Sequence, residues 1–323
     1  MTPPPAAPRP VILDGDPGHD DAINILLACS SPELEVLGVT TTYGNVGLER
    51  TTHNALVVRE LINQTSGADF PIYAGADRPL VVPRLSAESV HGASGLDGPD
   101  LPTPKRGAEA LHAAEFIIHA VRQRPHQVTL LPTGPLTNLA LALRLAPDIA
   151  PLIREVVWMG GSLDTGNWTP SAEFNALCDP HAARIVFECA AETGLKLTMF
   201  GLNATHQAVA NPARVAAFRQ LGTKVGEFTA VLLEFFAEHH LERYGWDGGA
   251  LHDPMTAAYL IEPDLFEVQA MRVDIDISDG LSAGRTVCDV WRVTGQPPNA
   301  DVALKVDADG FFNLLVERIA RYR

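Results

Sequence analysis

Cysteine is scarce in this chain of 323 residues, which has only four, far apart in the sequence and without a CxxC pair. Disulfide frameworks are typical of small secreted domains with closely spaced cysteines. The spacing therefore predicts free thiols and favours a reducing, cytoplasmic location. The cysteines are Cys29, Cys178, Cys189 and Cys288.

Basic residues and long apolar runs are also lacking. The chain has 24 Lys and Arg against 39 Asp and Glu, a net charge of −15. A nucleic-acid surface needs clustered Lys and Arg, so we expect no nucleic-acid partner. No apolar run approaches the roughly 20 residues that span a bilayer, so we expect no membrane partner. Residues 1–10 contain five prolines and no apolar segment, which predicts a flexible tail rather than a signal peptide.

Apolar segments of alternating type follow this tail. Val11–Leu13 is typical of a short buried strand, the segment from His19 is typical of a helix, and residues 34–42 are typical of a second strand. This alternation predicts an α/β fold with an open, mostly parallel sheet flanked by helices. Because no repeat or change of composition marks a boundary, we expect residues 11–323 to form a single domain.

The same patterns continue to the end of the chain, interrupted by an aperiodic stretch at 78–105 that predicts a functional or disordered loop. Glycines at 222 and 226 allow two helices within the helical region 212–244. Further helices are predicted at 48–64, 107–124, 139–145, 180–193 and 311–321, and further strands at 71–74, 128–131, 156–159, 195–200, 268–277 and 302–306.

The most informative stretch is the acidic segment 14–21, which places four carboxylates within eight residues. Asp16 is expected at the carboxyl end of the first strand, and Asp20 and Asp21 in the first helical turn. Such crowded charges need solvent or a cation nearby, and carboxylate oxygens suit Ca²⁺ or Mg²⁺. A helix cap with two dipole-complementing aspartates is the alternative, but it explains only one or two of the four.

Polar residues recur at the ends of other predicted strands, among them Asn45, Thr133 and Asn203. In an open parallel sheet the ligand crevice lies along this edge, so we expect the active site there. Each of these residues, considered alone, also has an explanation as a turn or cap residue.

Two further segments leave their roles open. Asp253, between His252 and Pro254, is either a site ligand or an ordinary N-cap with proline at the first helical position. The loop 167–175 carries Asn167, Glu173 and Asn175, whose amide and carboxylate groups suit a vicinal diol, although an ordinary polar surface loop has the same composition.

These motifs together resemble the nucleoside hydrolase family of the inosine-uridine preferring type. They occur in the order that this family has. The resemblance implies a Rossmann-like fold, Ca²⁺ as the cofactor, a ribonucleoside as substrate, and a homodimer or homotetramer. The matching segments are 14–21, 133–138, 159–161, 172–175 with 178–180, 252–254, 284–289 and 302–307.

The resemblance also implies roles for individual residues. Asp16, Asp21 and Asp253 resemble the carboxylate ligands of Ca²⁺, with the backbone carbonyl of Thr133 as a further ligand, and Asp16 also resembles the general base. His252 resembles the group near the leaving base, and as a histidine it is the expected acid at neutral pH. The expected sugar and base contacts are Asp20, Asn45, Glu173 and Asn175 at the ribose hydroxyls, Asn167 and Met159 along the sugar pocket, and His91 at the base.

The implied reaction is hydrolysis of the N-glycosidic bond of ribonucleosides, pyrimidine or inosine, to ribose and free base. Residues 234–250 are expected to cover the base, and Trp168 departs from the small aliphatic residue more usual in the family. Two alternatives remain. An Mg²⁺-dependent phosphohydrolase would use the Asp14-Gly15-Asp16 motif but needs a lysine near the phosphate, and the chain has four lysines, none at such a motif. A nucleoside-binding protein would keep the pocket without turnover.

Overall fold

The computed structural model describes residues 7–87, 92 and 94–323. Within this part of the chain, eight strands form one sheet in the order β3-β2-β1-β4-β5-β6-β12-β9. Neighbouring strands are parallel, except for the antiparallel pair of β12 and β9. The strands are β1 (Arg9–Gly15), β2 (Leu34–Thr41), β3 (Ile72–Ala74), β4 (Thr129–Pro132), β5 (Glu155–Met159), β6 (Leu197–Phe200), β7 (Val209–Ala210), β8 (Gly249–Ala250), β9 (Phe266–Met271), β10 (Val273–Ile275), β11 (Thr286–Cys288) and β12 (Ala300–Val306).

Helices cover both faces of this sheet. Alternate strand residues point to opposite faces, and because both faces carry apolar side chains, both must be buried against helices. In β1, Val11 and Leu13 pack into one buried cluster and Ile12 into another. The predicted α/β class with a mostly parallel, helix-flanked sheet is therefore confirmed. The helices are α1 (His19–Ser30), α2 (Leu48–Ser66), α3 (Ala113–Gln123), α4 (Thr137–Leu145), α5 (Phe174–Cys178), α6 (Pro180–Thr193), α7 (Leu202–Thr205), α8 (Pro212–Arg219), α9 (Lys224–Tyr244), α10 (Pro254–Ile261) and α11 (Ala308–Ile319), with 3₁₀ turns at Pro147–Leu152 and Pro263–Leu265.

Three predicted boundaries were wrong. Arg9 and Pro10 belong to β1 rather than to the tail predicted at 1–10. The helix predicted at 107–124 begins only at Ala113, because the backbone N–H of Glu109 bonds to Ile72 O at 2.7 Å and extends the chain beside β3. The strand predicted at 268–277 is split into β9 and β10.

The helical region 212–244 is two helices, as Gly222 and Gly226 allowed. Gly222 lies in the left-handed region, with φ at +63°, which favours glycine. The hydroxyl of Thr223 then accepts a hydrogen bond from Gly226 N at 3.0 Å and caps α9. Every helix in the described ranges is too short or too polar to cross a lipid bilayer, and the four cysteines are unpaired.

The order of the strands creates a crevice between β1 and β4. From β1 the chain adds β2 and β3 on one side, and then crosses to β4 on the other. At such a switch point the connections after two neighbouring strands leave in opposite directions and open a space at their carboxyl ends. The fold therefore places the ends of β1 and β4, with Asp16 and Thr133, at the site where ligands bind in sheets of this type.

Candidate active site

Three buried carboxylates meet at this crevice. Oxygens of Asp20, Asp21 and Asp253 all lie within 4.8 Å of one another. The first two come from the first turn of α1, and the third occupies the N-cap position of α10. The side chain of Asp253 makes no capping hydrogen bond, so the interpretation of this residue as an ordinary N-cap does not account for it.

Asp16 adjoins this carboxylate cluster and is held by Asn45. The backbone N–H of Asn45 donates to Asp16 Oδ2 at 2.6 Å, and its side-chain amide donates to Asp16 O at 3.0 Å. The same amide lies 3.4 Å from Asp21 Oδ2. Among the described residues, the other oxygen of Asp16, Oδ1, is buried without a hydrogen-bond partner. An orphaned carboxylate oxygen beside three further carboxylates is where a cation would be bound.

Thr133 reaches the cluster from the end of β4. Its hydroxyl donates to Asp21 Oδ1 at 2.7 Å, and the other oxygen of Asp21 accepts from Gly18 N at 3.1 Å. Asp21 thus also fulfils the capping role that the sequence left as an alternative. The carbonyl of Thr133 accepts from Asn175 Nδ2 at 3.1 Å, which fixes the direction of this oxygen.

Burial dominates the electrostatics of this cluster. It raises the pKa of Asp20 to about 7, with the charge of Asp21 as the next cause. The pKa values of Asp16 and Asp253 are raised well above the ordinary range, first by burial and then by the neighbouring carboxylates. Burial also raises the pKa of Asp21, although the hydrogen bonds from Thr133 and Gly18 oppose it. Four such groups do not all ionise without a compensating positive charge.

Three glycines make room for these carboxylates. A Cβ on Gly134 would lie 2.6 Å from Asp16 Oδ1. A Cβ on Gly44 would overlap Asp16 Oδ2, and one on Gly15 would overlap Asp21 Oδ1. Glycine at these positions lets the backbone of the crevice approach the carboxylates closely, so their orientations are fixed by packing.

Asp14 and the four lysines lie apart from this chemistry. Asp14 is buried and accepts hydrogen bonds from Thr40 Oγ1 at 2.6 Å and from Asn138 Nδ2 at 2.8 Å. These bonds connect β1 to β2 and to α4. The lysines contact acidic or amide groups away from the crevice, so none supplies the phosphate contact that a phosphohydrolase needs. Lys105 pairs with Glu60, Lys196 with Glu155, Lys305 with Glu267, and Lys224 with Gln64.

The loop 167–175 lies at the end of β5. Glu173 accepts from the backbone N–H groups of Gly161 at 2.7 Å, Asn175 at 2.8 Å and Ala176 at 3.0 Å, and so caps α5. Burial raises the pKa of Glu173 to about 7, although these N–H donors oppose the shift. Glu173, which is expected at the sugar, therefore also supports the local fold as the cap of α5.

The structure brings the other expected sugar contacts to the same rim. Asn175 Nδ2 donates to Met159 O at 3.2 Å as well as to Thr133 O. Asn167 Oδ1 accepts from Phe174 N at 2.9 Å. Trp168 packs its ring against Phe174, with centroids 4.9 Å apart. Asn203 of α7, in contrast, accepts from Leu163 N at 3.2 Å and donates to Ala303 O of β12 at 2.8 Å, and so connects the loop after β5 to β12.

His252 stands beside Asp253 on the opposite side of the crevice. Its Nδ1 lies 2.7 Å from the buried hydroxyl of Thr205. Its ring is perpendicular to that of Phe236, with centroids 6.2 Å apart, and 5.6 Å from that of His206. The contact with Thr205 fixes the orientation of the imidazole. His91, expected at the base, lies outside the described residues.

Sequence reasoning missed three supporting residues. His19 stacks on Phe235 of α9, with centroids 4.7 Å apart and planes 7° apart, and burial lowers its pKa to about 4. Thr205 orients His252 through its contact with Nδ1, and the side-chain amide of Asn54 donates a hydrogen bond to Pro17 O in the turn before α1. His19 stood inside the acidic motif, but no pattern in the sequence indicated which distant segment it contacts.

Comparisons with known proteins agree with this geometry. A family model described as the inosine-uridine preferring nucleoside hydrolase matches residues 11–313. The chain is 44% identical over 315 residues to the pyrimidine-specific ribonucleoside hydrolase RihA of Photobacterium profundum, covering 97% of this chain and 99% of the relative. It is 41% identical over 314 residues to RihB of Escherichia coli, also named a pyrimidine-specific ribonucleoside hydrolase, covering 97% of this chain and 98% of the relative.

A solved structure with the same fold is the purine-preferring ribonucleoside hydrolase from Gardnerella vaginalis. Its TM-score is 0.89 and its sequence identity 33%, with 97% of this chain and 98% of that chain covered. The fold is that of an α/β protein whose acidic crevice, the candidate active site, lies at the carboxyl ends of parallel strands. The chain belongs to the inosine-uridine preferring nucleoside hydrolase family and is an N-ribosyl hydrolase, which cleaves the N-glycosidic bond of ribonucleosides.

Proposed function

We propose that this enzyme hydrolyses pyrimidine ribonucleosides to ribose and free base and that it uses Ca²⁺. The observation that carries the proposal is the buried cluster of Asp20, Asp21 and Asp253 beside the orphaned Oδ1 of Asp16. Pyrimidines are favoured over inosine because both sequence relatives described above are named pyrimidine-specific. The purine preference in the name of the structural relative means that the fold alone does not decide the base.

The donors at the crevice fit a hard divalent cation. Asp16, Asp21 and Asp253 supply carboxylate oxygens, and Thr133 supplies a carbonyl oxygen, which are the ligand types of Ca²⁺. When bound, Ca²⁺ supplies positive charge that makes a coordinated water more acidic. We assign these four residues as its ligands. The raised pKa values of the three carboxylates support the assignment, because a cation would replace the protons that these buried groups otherwise retain.

The residues of the chain then have distinct tasks in hydrolysis. Asp16 accepts the proton of the attacking water as general base. Carboxylates at the crevice stabilise the positive charge that develops on the ribosyl group. His252, held through Nδ1 by Thr205, presents Nε2 to the departing base and donates a proton to it. Ribose is held by Asp20, Asn45, Glu173 and Asn175, with Asn167 and Met159 along the pocket and His91 at the base.

The test is a panel of nucleosides. The protein is incubated with uridine, cytidine and inosine, with Ca²⁺ or with a chelator, and reducing sugar is measured. We expect release from uridine and cytidine that chelation abolishes and Ca²⁺ restores. Absence of release from all three with Ca²⁺ present would contradict the proposal, and Ca²⁺-dependent binding of nucleoside without release would indicate a binding protein instead.

We also propose that the chain forms a homodimer or homotetramer in the cytoplasm, with residues 9–323, which include all of β1, acting as one domain. One surface supports self-association. Trp291 is 86% exposed and Val293 82% exposed. The carboxylate of Asp289 accepts from Val293 N and Thr294 N, each at 2.8 Å, and so holds this loop rigid. A rigid loop that presents an indole loses little entropy on binding.

The mass in solution tests this assembly. Light scattering after gel filtration should show an oligomer for the parent protein and a smaller species for Trp291→Asp. Leu145, 68% exposed at the end of α4, supplies the control Leu145→Asp, which should leave the mass unchanged. A monomeric parent protein, or an unchanged mass for Trp291→Asp, would overturn this assignment. The four free cysteines support the cytoplasmic location.

A further inference from the structure

Two segments distant in sequence form one side of the crevice. Residues 94–98 lie against α9, so closely that a Cβ on Gly98 would be 3.3 Å from Val231 Cγ1. We call residues 94–98, together with Phe235 and Phe236 of α9, the side wall. The side wall borders the site because the ring centroid of Phe236 lies 6.2 Å from that of His252 and 6.2 Å from that of His19, the residue before Asp20.

His19 joins both parts of the side wall to the carboxylates. Its imidazole stacks on Phe235 in α9, and its Nε2 lies 2.9 Å from Asp97 O in the loop. Because a carbonyl oxygen only accepts hydrogen bonds, Nε2 must carry the hydrogen. His19 directly precedes Asp20 and Asp21, so one ring connects the loop, the helix and the start of the carboxylate-bearing turn.

Asn54 makes a second and independent connection. Its Nδ2 donates one hydrogen to Pro17 O and the other to Ser94 O, both at 2.9 Å. Pro17 lies in the turn between Asp16 and Asp20, and Ser94 begins the described loop of the side wall. The loop approaches Asn54 closely, since a Cβ on Gly95, where φ is +79°, would lie 3.1 Å from Asn54 Nδ2.

We propose that His19 and Asn54 are positioning residues that hold the side wall against the carboxylate-bearing turn and thereby set the affinity for the nucleobase. In the described part of the chain, the hydrogen bonds of the ribose contacts Glu173 and Asn175 run to β4, β5 and α5, at the other edge of the crevice, and not to the side wall. The side wall is assigned to the base side of the substrate because its Phe236 ring lies 6.2 Å, between centroids, from that of His252, the proposed proton donor to the base. This inference rests on the proposed hydrolysis of nucleosides.

A matched pair of variants separates the two contacts of His19. His19→Phe keeps a ring to stack on Phe235 but loses the hydrogen bond to Asp97 O, whereas His19→Gln keeps an amide N–H and loses the ring. For His19→Phe we expect a KM for uridine about fivefold to tenfold higher, the loss expected for one buried hydrogen bond, with little change in kcat. For His19→Gln the rise in KM should be smaller.

Two further measurements distinguish positioning from a general structural effect. Amide hydrogen exchange at residues 94–98 should be faster in His19→Phe than in the parent and close to the parent in His19→Gln. The Kd for Ca²⁺, measured by calorimetry without nucleoside, should stay within about twofold, because no proposed ligand is altered. The exposed His119 of α3 supplies the control His119→Phe, which should match the parent throughout.

Asn54→Leu tests the second connection and remains informative if His19→Phe does not fold. It should also raise KM and speed exchange at 94–98. Unchanged KM and exchange in both His19→Phe and Asn54→Leu would overturn the inference, as would loss of Ca²⁺ binding in both. If the parent protein cleaved no nucleoside, the proposed function would fail, whereas the exchange rates would still decide whether His19 and Asn54 hold the side wall.

Discussion

Replacing Asp253 with Asn should change the stability of this protein in opposite directions with and without Ca²⁺. Oxygens of Asp20, Asp21 and Asp253 lie within 4.8 Å of one another. At an effective dielectric constant of about 20, two unit charges at that distance repel by about 3.5 kcal/mol. In metal-free protein this cost falls on the folded state, either as repulsion or as uptake of a proton from solvent.

Asn has the shape of Asp without its charge, so Asp253→Asn removes this cost. We expect the free energy of unfolding of the metal-free variant to exceed that of the parent by about 3 kcal/mol, which corresponds to roughly 5 °C or more in Tm for a chain of this size. With saturating Ca²⁺ the order should reverse. The parent then gains the free energy of binding, about 4.1 kcal/mol at a concentration of 1,000 times Kd, which exceeds the 3 kcal/mol above, and the variant lacks one ligand.

Thermal unfolding followed by circular dichroism, in chelator and in Ca²⁺, measures both effects. Asp264→Asn serves as control, because Asp264 is exposed just after α10 and should leave both Tm values unchanged. A variant with the lower Tm under both conditions would refute the reasoning. It would mean that Asp253 stabilises the fold through its own contacts and that repulsion within the cluster is small.

Three further outcomes are expected. Asp16→Asn should abolish uridine hydrolysis and weaken Ca²⁺ binding measured by calorimetry, and retained turnover would exclude Asp16 as the base. His252→Ala should reduce kcat unequally for inosine and uridine, and rates close to the parent would remove its role as acid. Burial raises the pKa of Glu173 in the folded state to about 7, above its ordinary value of 4.5. The folded protein therefore holds this proton to a higher pH than the unfolded chain does. As pH rises from 4.5 to 7, the contribution of Glu173 to the free energy of unfolding falls by about 3 kcal/mol. In urea unfolding with chelator, the stability difference between parent and Glu173→Gln should shift by most of that amount between about pH 5 and 8, and a constant difference would contradict it.

The sequence was sufficient for the sheet and for the acidic motif because both are local patterns. Three apolar residues at 11–13 predict a buried strand, and the aspartates that follow predict its carboxyl end at the crevice. The direction of the Asp253 side chain was harder to predict from the sequence. The cap pattern Asp-Pro describes its backbone correctly, and only the packing of α1 on α10 shows that its side chain is directed to Asp20 and Asp21.

Contacts made by long-range packing could not be predicted. Nothing about a histidine inside an acidic motif indicates that its ring will stack on Phe235, far along the chain. In the same way, the sequence predicted a helix from residue 107, whereas the backbone hydrogen bond from Glu109 N to Ile72 O beside β3 made residues 107–112 extended. Local preference decides such segments only where no strand competes for the backbone hydrogen bonds.

The cluster joins parts of the chain that are synthesised far apart in time. Asn24 of α1 bonds to Thr256 of α10 at 3.2 Å, across 232 residues of sequence, beside the aspartates of both helices. While the nascent chain lacks residue 253, the early aspartates remain hydrated, because the helix that encloses them has not yet been made. The proposed Ca²⁺ site is thus completed only after residue 253 has been synthesised, and we expect a fragment truncated before residue 250, which lacks the carboxylate of Asp253, to bind the ion poorly.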